Sequence, residues 1–420
     1  MTTLSVNHVA RIEGHGDITV DVDEGVIKRI TMDIVEPARI FESMVVGRTF
    51  EEAPLITSRI CGICSANHAV TSILATENAF GVEVSQRTKK LRELLVYGSY
   101  LQNHGTHLYI LAAPDYVGLP SVFPLAETAP EIVKRALALK RLGNELCTLV
   151  GGRTVHPTTA VVGGFTSEPT RTELLTFGKR LEEAVRDAAA TVELFGSFDI
   201  PRYETKNDML SLVAADNYAI VEGEIHSLAH KWNRPVSDYR GLMQEEVVAH
   251  SNSKHVMVDG KPFMVGAIAR VNNSWDQLLP SARVVASKVG MRPVMKNPFY
   301  NNICQAIELV DAAERCAMLC YELADSDGSA APVEFKPREA VGYGATEAPR
   351  GTLYHTLEYD KNGIVTAGDV ITPTAQNLAG LEADMRAFAP SILKLEHDEF
   401  ILKIEQLVRA YDPCLSCAVH

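Results

Sequence analysis

Four of the eight cysteines fall in two CxxC pairs, Cys61-Gly62-Ile63-Cys64 and Cys414-Leu415-Ser416-Cys417. A CxxC turn lets two thiolates converge on one metal, so two such turns can supply a four-sulfur site. The pairs lie at opposite ends of the chain, and a shared site would close the whole fold. Three other uses fit the same residues: a structural zinc site, a redox dithiol, or two unrelated surface pairs. The usual zinc ribbon spaces its pairs about 15 to 20 residues apart, which weighs against zinc here. Cys147 lies on an apolar helical face, and Cys304, Cys316 and Cys320 share one helical stretch without a fourth local ligand. These four read as small buried hydrophobes, which leaves no cysteine set for an iron–sulfur cluster in this chain.

The elements that must position these pairs follow from hydrophobic periodicity. Ile18, Val20 and Val22 alternate with polar residues and Ile30, Met32 and Ile34 continue the pattern, which predicts a hairpin turning at Glu24-Gly25. A short helix is expected over 38–47. Apolar residues on helical spacing predict long helices over 91–113, ended by Pro114, over 130–150, ended by Gly151-Gly152, and over 170–195, after Pro169. These three are candidates for a central bundle. Residues 201–300 carry short alternating runs, with a hairpin expected over 256–263, and read as a peripheral α+β insertion. Helix returns over 302–325, a hairpin turns at Asn362-Gly363, and a last helix over 378–411 should break near Pro390. The expected class is mainly α (α+β), with residues 1–420 as one domain.

Composition narrows the partners. The chain has 420 residues, and its 53 Asp+Glu exceed its 40 Lys+Arg. That balance opposes a nucleic-acid footprint or a polybasic membrane anchor, which need a basic face. No signal-peptide pattern precedes the hairpin, and no apolar run reaches the roughly 18 to 20 residues of a spanning helix. A cytoplasmic chain without a membrane span is expected, where paired cysteines are more often metal ligands than disulfides.

The strings around the cysteines carry a resemblance. Arg59-Ile60-Cys61-Gly62-Ile63-Cys64 with His68, and Asp412-Pro413-Cys414-Leu415-Ser416-Cys417 with His420, resemble the signatures of the [NiFe] hydrogenase large subunit. Arg11-Ile12-Glu13-Gly14-His15, Arg39-Ile40-Phe41-Glu42, Gly151-Gly152-Arg153-Thr154-Val155-His156-Pro157, Pro349-Arg350-Gly351 and Ile371-Thr372-Pro373-Thr374 resemble the family's other motifs. The likeness is weakest over 201–300. It implies the family's large-subunit fold and reversible heterolytic cleavage of H2. It also implies a Ni–Fe centre with one CO and two cyanides on iron, Cys61 and Cys414 as terminal nickel ligands, and Cys64 and Cys417 as bridges to iron.

The resemblance further implies Glu13 as a proton relay beside Cys417, and Arg350, next to Pro349, over the open side of the metals. Thr374 would hydrogen-bond a cyanide, and Asp412 would hold Arg350. Glu42 and His420, with a backbone carbonyl near Ile371 or Thr372, would bind Mg2+ (or Fe2+). Gln102-Asn103-His104 stands where better-known members carry an HDH triplet, so one partner of the arginine becomes neutral Asn103. His68 and His104 read either as hydrogen-bonding or proton-moving neighbours of the centre or as satisfied core residues. Electrons would leave to an iron–sulfur small subunit, with flavin/iron–sulfur diaphorase-type subunits beyond it. NAD(P), alone or with ferredoxin, is the favoured carrier. The alternatives are an F420- or heterodisulfide-linked hydrogenase, or a binding subunit like the quinone-site subunit of complex I.

Overall fold

The computed structural model describes residues 2–6, 8–24 and 26–420. Its N-terminal sheet runs β1 (Thr2–Val6), β2 (Gly16–Asp23) and β3 (Val26–Ile34), all antiparallel. The expected hairpin is β2–β3, with Glu24 at φ 48°; Gly25 of the expected turn lies outside the described residues. Ile18, Val20, Ile30 and Met32 are fully buried, which is the alternation that a half-buried sheet requires. The helix expected over 38–47 shrinks to Phe41–Met44, because Ile40 enters it in the left-handed region at φ 51°.

Helix α1 (Ser65–Phe80) starts directly after the first cysteine pair, with Cys64 as its N-cap residue. The bundle is formed by α2 (Gln86–Thr106), α3 (Pro130–Gly151), α4 (Arg171–Gly196) and α5 (Asn301–Asp325), so a fourth helix joins the expected three. Local chemistry sets the ends. Thr170 and Glu173 make a reciprocal capping box on α4, and Gly152 closes α3 in the left-handed conformation at φ 75°. The α2 and α3 backbones approach so closely that a Cβ on Gly143 would lie 2.4 Å from the Gln102 nitrogen. Pro114 does not end the helical run: a π-helical turn, His107–Ala112, absorbs the mismatch and Pro114 opens the next turn, Ala113–Tyr116.

A second antiparallel sheet, β4 (Ala340–Ala348), β5 (Gly351–Tyr359) and β6 (Val365–Ile371), packs on α1. The turn between β4 and β5 holds Pro349-Arg350. Two helices finish the chain, α6 (Pro373–Ile392) and α7 (His397–Ala410), followed by the short turn Leu415–Ala418. The break between α6 and α7 falls after Pro390, which is accommodated inside α6.

Residues 201–300 have α+β content, but the hairpin expected over 256–263 is only a turn. His255–Val258 pairs antiparallel with Met243–Glu246, while Phe263–Met264 pairs parallel with Asp208–Val213. The segment also reaches inward, since Arg270 on the helix Ala267–Asn273 is 1% exposed. One hydrophobic cluster runs from Val9 to Val419 and joins both chain ends to the bundle. Among the described residues, no helix is long and apolar enough to cross a membrane.

Candidate metal centre

The two CxxC turns meet. Cys61 and Cys414 place their sulfurs 3.5 Å apart, Cys64 and Cys417 3.6 Å apart, and Cys414 and Cys417 2.8 Å apart. All four are free and buried. Their meeting is held by the backbone and by Arg39. Glu13 bridges to Cys414 in a parallel β-bridge, with the Leu415 N–H donating to the Glu13 carbonyl at 3.0 Å. The Arg39 guanidinium donates both to the Ile60 carbonyl, at 2.5 Å, and to the Ser416 carbonyl, tying one cysteine loop to the other. The third motif braces the first loop: the His156 N–H donates to the Ser65 hydroxyl at 2.9 Å, and His156 Nδ1 lies 2.9 Å from the Ser58 carbonyl.

Hydrogen bonds from Cys414, Cys417 and Cys64 hold Cys61 well below the ordinary thiol value, while burial holds Cys417 well above it. A bound cation would release every proton of such a set. Soft thiolates suit nickel and iron, and four of them match the formal charge of Ni(II) plus Fe(II). Cys61, Cys414 and Cys417 lie close enough together to hold a metal, as do Cys64, His68 and Cys417. Two buried polar atoms beside them have no protein partner among the described residues: Arg350 Nη1 and His68 Nε2. A nickel–iron group with polar ligands on iron fits these donors.

The structure brings Glu13 to Cys414, not to Cys417. Cys414 Sγ is 3.1 Å from Glu13 Oε2, and the Ser416 hydroxyl and N–H also bond this carboxylate. The reason is the β-bridge, which aligns Glu13 with the first cysteine of the pair. Burial, followed by the Cys414 thiolate, raises the Glu13 pKa to about 7, so it can hold or release a proton near neutrality.

Arg350 is held as expected. Its Nε donates to the Asp412 carbonyl at 2.8 Å, and Nη2 lies 3.0 Å from Asp412 Oδ1. Asn103 does not touch Arg350; its Nδ2 donates to Asp412 Oδ2 at 3.1 Å, so it acts only through that carboxylate. Gln305 donates to the same oxygen at 2.9 Å. Thr374 accepts the Cys414 N–H at 2.9 Å, leaving its own hydroxyl proton to donate. The Pro349 carbonyl accepts from Arg270 at 2.9 Å.

Two expected neighbours separate. His68 stays at the sulfurs and pairs with His355 at 3.2 Å; burial pushes its pKa down to about 3, so it is neutral. His104 instead bonds Glu308 at 2.9 Å, inside the Arg270 network, and is not brought to the cysteines. Beside the C-terminal turn, His420 Nε2 lies 2.6 Å from the Val370 carbonyl and 3.7 Å from Glu42 Oε1. The Val370 carbonyl, next to Ile371 at the end of β6, is the backbone oxygen beside His420.

Several positioning residues carry no local signal in the sequence. Gln305 and Arg270 arrive from separate helices, and His107 links Gln305, at 2.6 Å, to the Arg409 carbonyl, at 2.8 Å. Arg39 lies inside a motif, but nothing in that motif specifies its two carbonyl partners.

Comparison with known proteins agrees with this geometry. The nickel-dependent hydrogenase family matches residues 39–134 and 215–420, and a HoxL-like model matches residues 3–36. The chain is 36% identical to the alpha chain of sulfhydrogenase 1 of Pyrococcus furiosus, over 99% of this chain and 97% of that protein. It is 32% identical to a chain of the F420-non-reducing hydrogenase of Methanothermobacter thermautotrophicus, over 100% of this chain and 95% of that one. It superposes on an NAD+-reducing [NiFe]-hydrogenase in the H2-reduced state with a TM-score of 0.88, at 28% identity, each chain covered completely. The chain belongs to the nickel-dependent hydrogenases, as a large subunit of that family and an oxidoreductase acting on H2.

Proposed function

We propose that Cys61, Cys64, Cys414 and Cys417 would together hold a nickel–iron group, Cys61 and Cys414 on nickel alone and Cys64 and Cys417 shared with an iron that would carry one CO and two cyanides. The observation that supports this most is the convergence of four sulfurs from the two chain ends within 3.6 Å of their neighbours. When bound, the nickel–iron pair supplies the polarising, electron-accepting chemistry that splits H2 reversibly. The chain's own groups do the rest. Glu13 Oε2, beside Cys414, takes the proton from the sulfur side and passes it outward, at a pKa of about 7 that opposes neither direction. Arg350 keeps its charge, fixed by Asp412, and its unpartnered Nη1 would be free to donate to polar ligands of the bound group. The Thr374 hydroxyl, which accepts the Cys414 N–H, would donate its own proton to a cyanide of the bound group. His68 offers a neutral ring beside Cys64, and Pro349 and His104 act by fixing the Arg350 turn and the Arg270 network.

Glu42, His420 and the Val370 carbonyl form a second set, of hard and borderline donors, that suits Mg2+ or Fe2+ with water completing the shell. Residues 1–420 form one domain in this reading, supported by the large hydrophobic cluster that runs from Val9 to Val419. Since the other four cysteines read as packing residues of the bundle helices, electrons pass to an iron–sulfur small subunit of a multi-subunit complex placed in the cytoplasm. The relatives weigh the acceptor toward the F420- or heterodisulfide-linked alternative rather than NAD(P) or ferredoxin. F420-non-reducing names recur among them, and NAD+ appears in the name of a structural neighbour. Those names exclude F420 itself for those proteins, so we adopt the heterodisulfide-linked branch. Retention of all four cysteines opposes a binding subunit of the complex I type.

An infrared spectrum with metal analysis of the mature complex tests this reading. CO and CN bands with nickel and iron are expected. Fully loaded protein without those bands would sink it.

A further inference from the structure

Outside the cysteine centre, two histidines and a glutamate converge at α6. His250 follows the strand Met243–Glu246, His255 opens the strand His255–Val258, and Glu382 lies on α6. His250 Nε2 is 2.7 Å and His255 Nε2 3.9 Å from Glu382 Oε1. The three donor atoms lie within 4.8 Å of one another. The histidine rings stand 5.5 Å apart at 77°, edge to face rather than stacked.

The His255 side chain is 7% exposed, and its Nε2 has no hydrogen-bond partner among the described residues. A buried, unpaired imidazole nitrogen costs free energy unless something occupies its lone pair. Burial pushes the His255 pKa below its ordinary value, which leaves the neutral ring that a metal requires. The carboxylate is itself oriented, because Glu382 Oε1 accepts the Met32 N–H of β3 at 3.0 Å. Metal-ligating carboxylates are normally held by such outer hydrogen bonds. His250 is the most exposed of the three at 18%, so its side of the cluster is open to water.

We propose that His250, His255 and Glu382 form a further metal site for a zinc-class divalent cation, with water as the fourth ligand. Two imidazoles and a carboxylate are a borderline, sulfur-free set, distinct from the thiolates of the catalytic centre. The site joins three parts of the chain. It ties the 250–255 segment to α6 and, through Met32, to β3. That segment also reaches the C-terminal turn, where the Ser253 hydroxyl donates to the Ala418 carbonyl at 3.0 Å. A cation here would staple α6, whose first turn carries Thr374 beside Cys414, to the turn that holds the second cysteine pair.

The test uses the mature complex, stripped of loosely held metal by a chelator and titrated with Zn2+ alone. One zinc equivalent is expected, and the zinc X-ray absorption edge should report nitrogen and oxygen scatterers at about 2.0–2.1 Å with no sulfur. Zinc should also raise thermal stability by mass action. Single His250→Gln and His255→Gln variants should weaken zinc uptake by roughly tenfold or more while nickel and iron content stay unchanged. His250→Gln, at the exposed edge, keeps the comparison available if His255→Gln does not fold. Failure to take up zinc, a sulfur-containing shell, or uptake unchanged by the histidine substitutions would each overturn the proposal. None of these results alters the nickel, iron and infrared readouts that test the catalytic reading.

Discussion

Eight buried cysteines divide into two sets of four with opposite surroundings. Cys61, Cys64, Cys414 and Cys417 share hydrogen bonds with one another and sit among Glu13, Arg350 and His68. Cys147, Cys304, Cys316 and Cys320 lie on bundle helices, where burial is the largest influence on each and pushes the thiol up, to about 12 for Cys147 and Cys320. Both sets are equally hidden from water. What separates them is convergence and charge: a ligand set needs sulfurs that meet and cationic or acidic neighbours that can use them. Burial by itself makes a cysteine inert.

The largest expected effect breaks the first set. Cys417→Ser should abolish H2 turnover and lower nickel and iron content, because a hard hydroxyl replaces a soft thiolate. Retained turnover with both metals bound would remove Cys417 from the ligand set. Next is Glu13→Gln, which keeps the size and the hydrogen-bonding reach of the side chain but cannot exchange a proton. It should slow H2/D+ exchange by roughly 10²- to 10⁴-fold with the metals still bound. Full exchange in that variant would refute the relay.

A third prediction concerns the frame rather than the sulfurs. Arg270 bonds Glu308 at 2.6 and 2.8 Å and Glu347 at 2.9 Å, and it donates to the Ala348 and Pro349 carbonyls beside Arg350. Glu308→Gln leaves a buried guanidinium short of charge and should cost about 3–5 kcal/mol, read as faster thermal inactivation. Burial alone would raise the Glu308 pKa, but Arg270 and His104 bring it down to about 2 from an ordinary 4.5. A lowered folded-state value means that its stabilisation is present above the unfolded value and lost as pH falls from about 4.5 toward 2. The thermal midpoint of Glu308→Gln should therefore depend less on pH across that window than that of the unsubstituted chain.

The sequence is legible where chemistry is local and opaque where it is not. The cysteine pairs can be read because CxxC spacing is itself the ligand geometry, and Asp412 with Arg350 because both lie in short motifs. Glu13 is assigned to the wrong cysteine, since only the long-range bridge from residue 13 to residue 414 sets which sulfur it meets. Asn103 and His104 are neighbours in sequence, yet one faces Asp412 and the other Glu308, because adjacent helical residues point about 100° apart. The strand Ala340–Ala348 escapes an alternation reading for a packing reason. Its Gly342 and Gly344 lie flush on α1, where an added Cβ would come within 1.9 Å of the Ala75 oxygen and 2.3 Å of the Thr71 oxygen. Small residues chosen for that contact erase the hydrophobic signal. The helices of the bundle are clear because caps and periodicity agree, although Pro114 misleads by opening a turn after the π-helical segment instead of ending the run.

The smallest expected effect sharpens the contrast between the two sets of cysteines. Cys147 packs against α2, with its sulfur 3.9 Å from the Leu95 carbonyl and 3.0 Å from where a Cβ on Gly98 would lie. Its thiol meets no charged group, so it contributes only volume and contact. Cys147→Ala removes one buried sulfur and should cost about 1–2 kcal/mol, visible as a modest loss of thermal stability. Nickel, iron and H2 turnover per bound metal should remain at the level of the unsubstituted chain. If this variant instead lost metal as Cys417→Ser does, equal burial would have hidden a functional kinship, and the division into ligand and packing cysteines would fall. If it lost stability alone, the four bundle cysteines would serve as the internal control that ties the chemistry of the other four to their convergence.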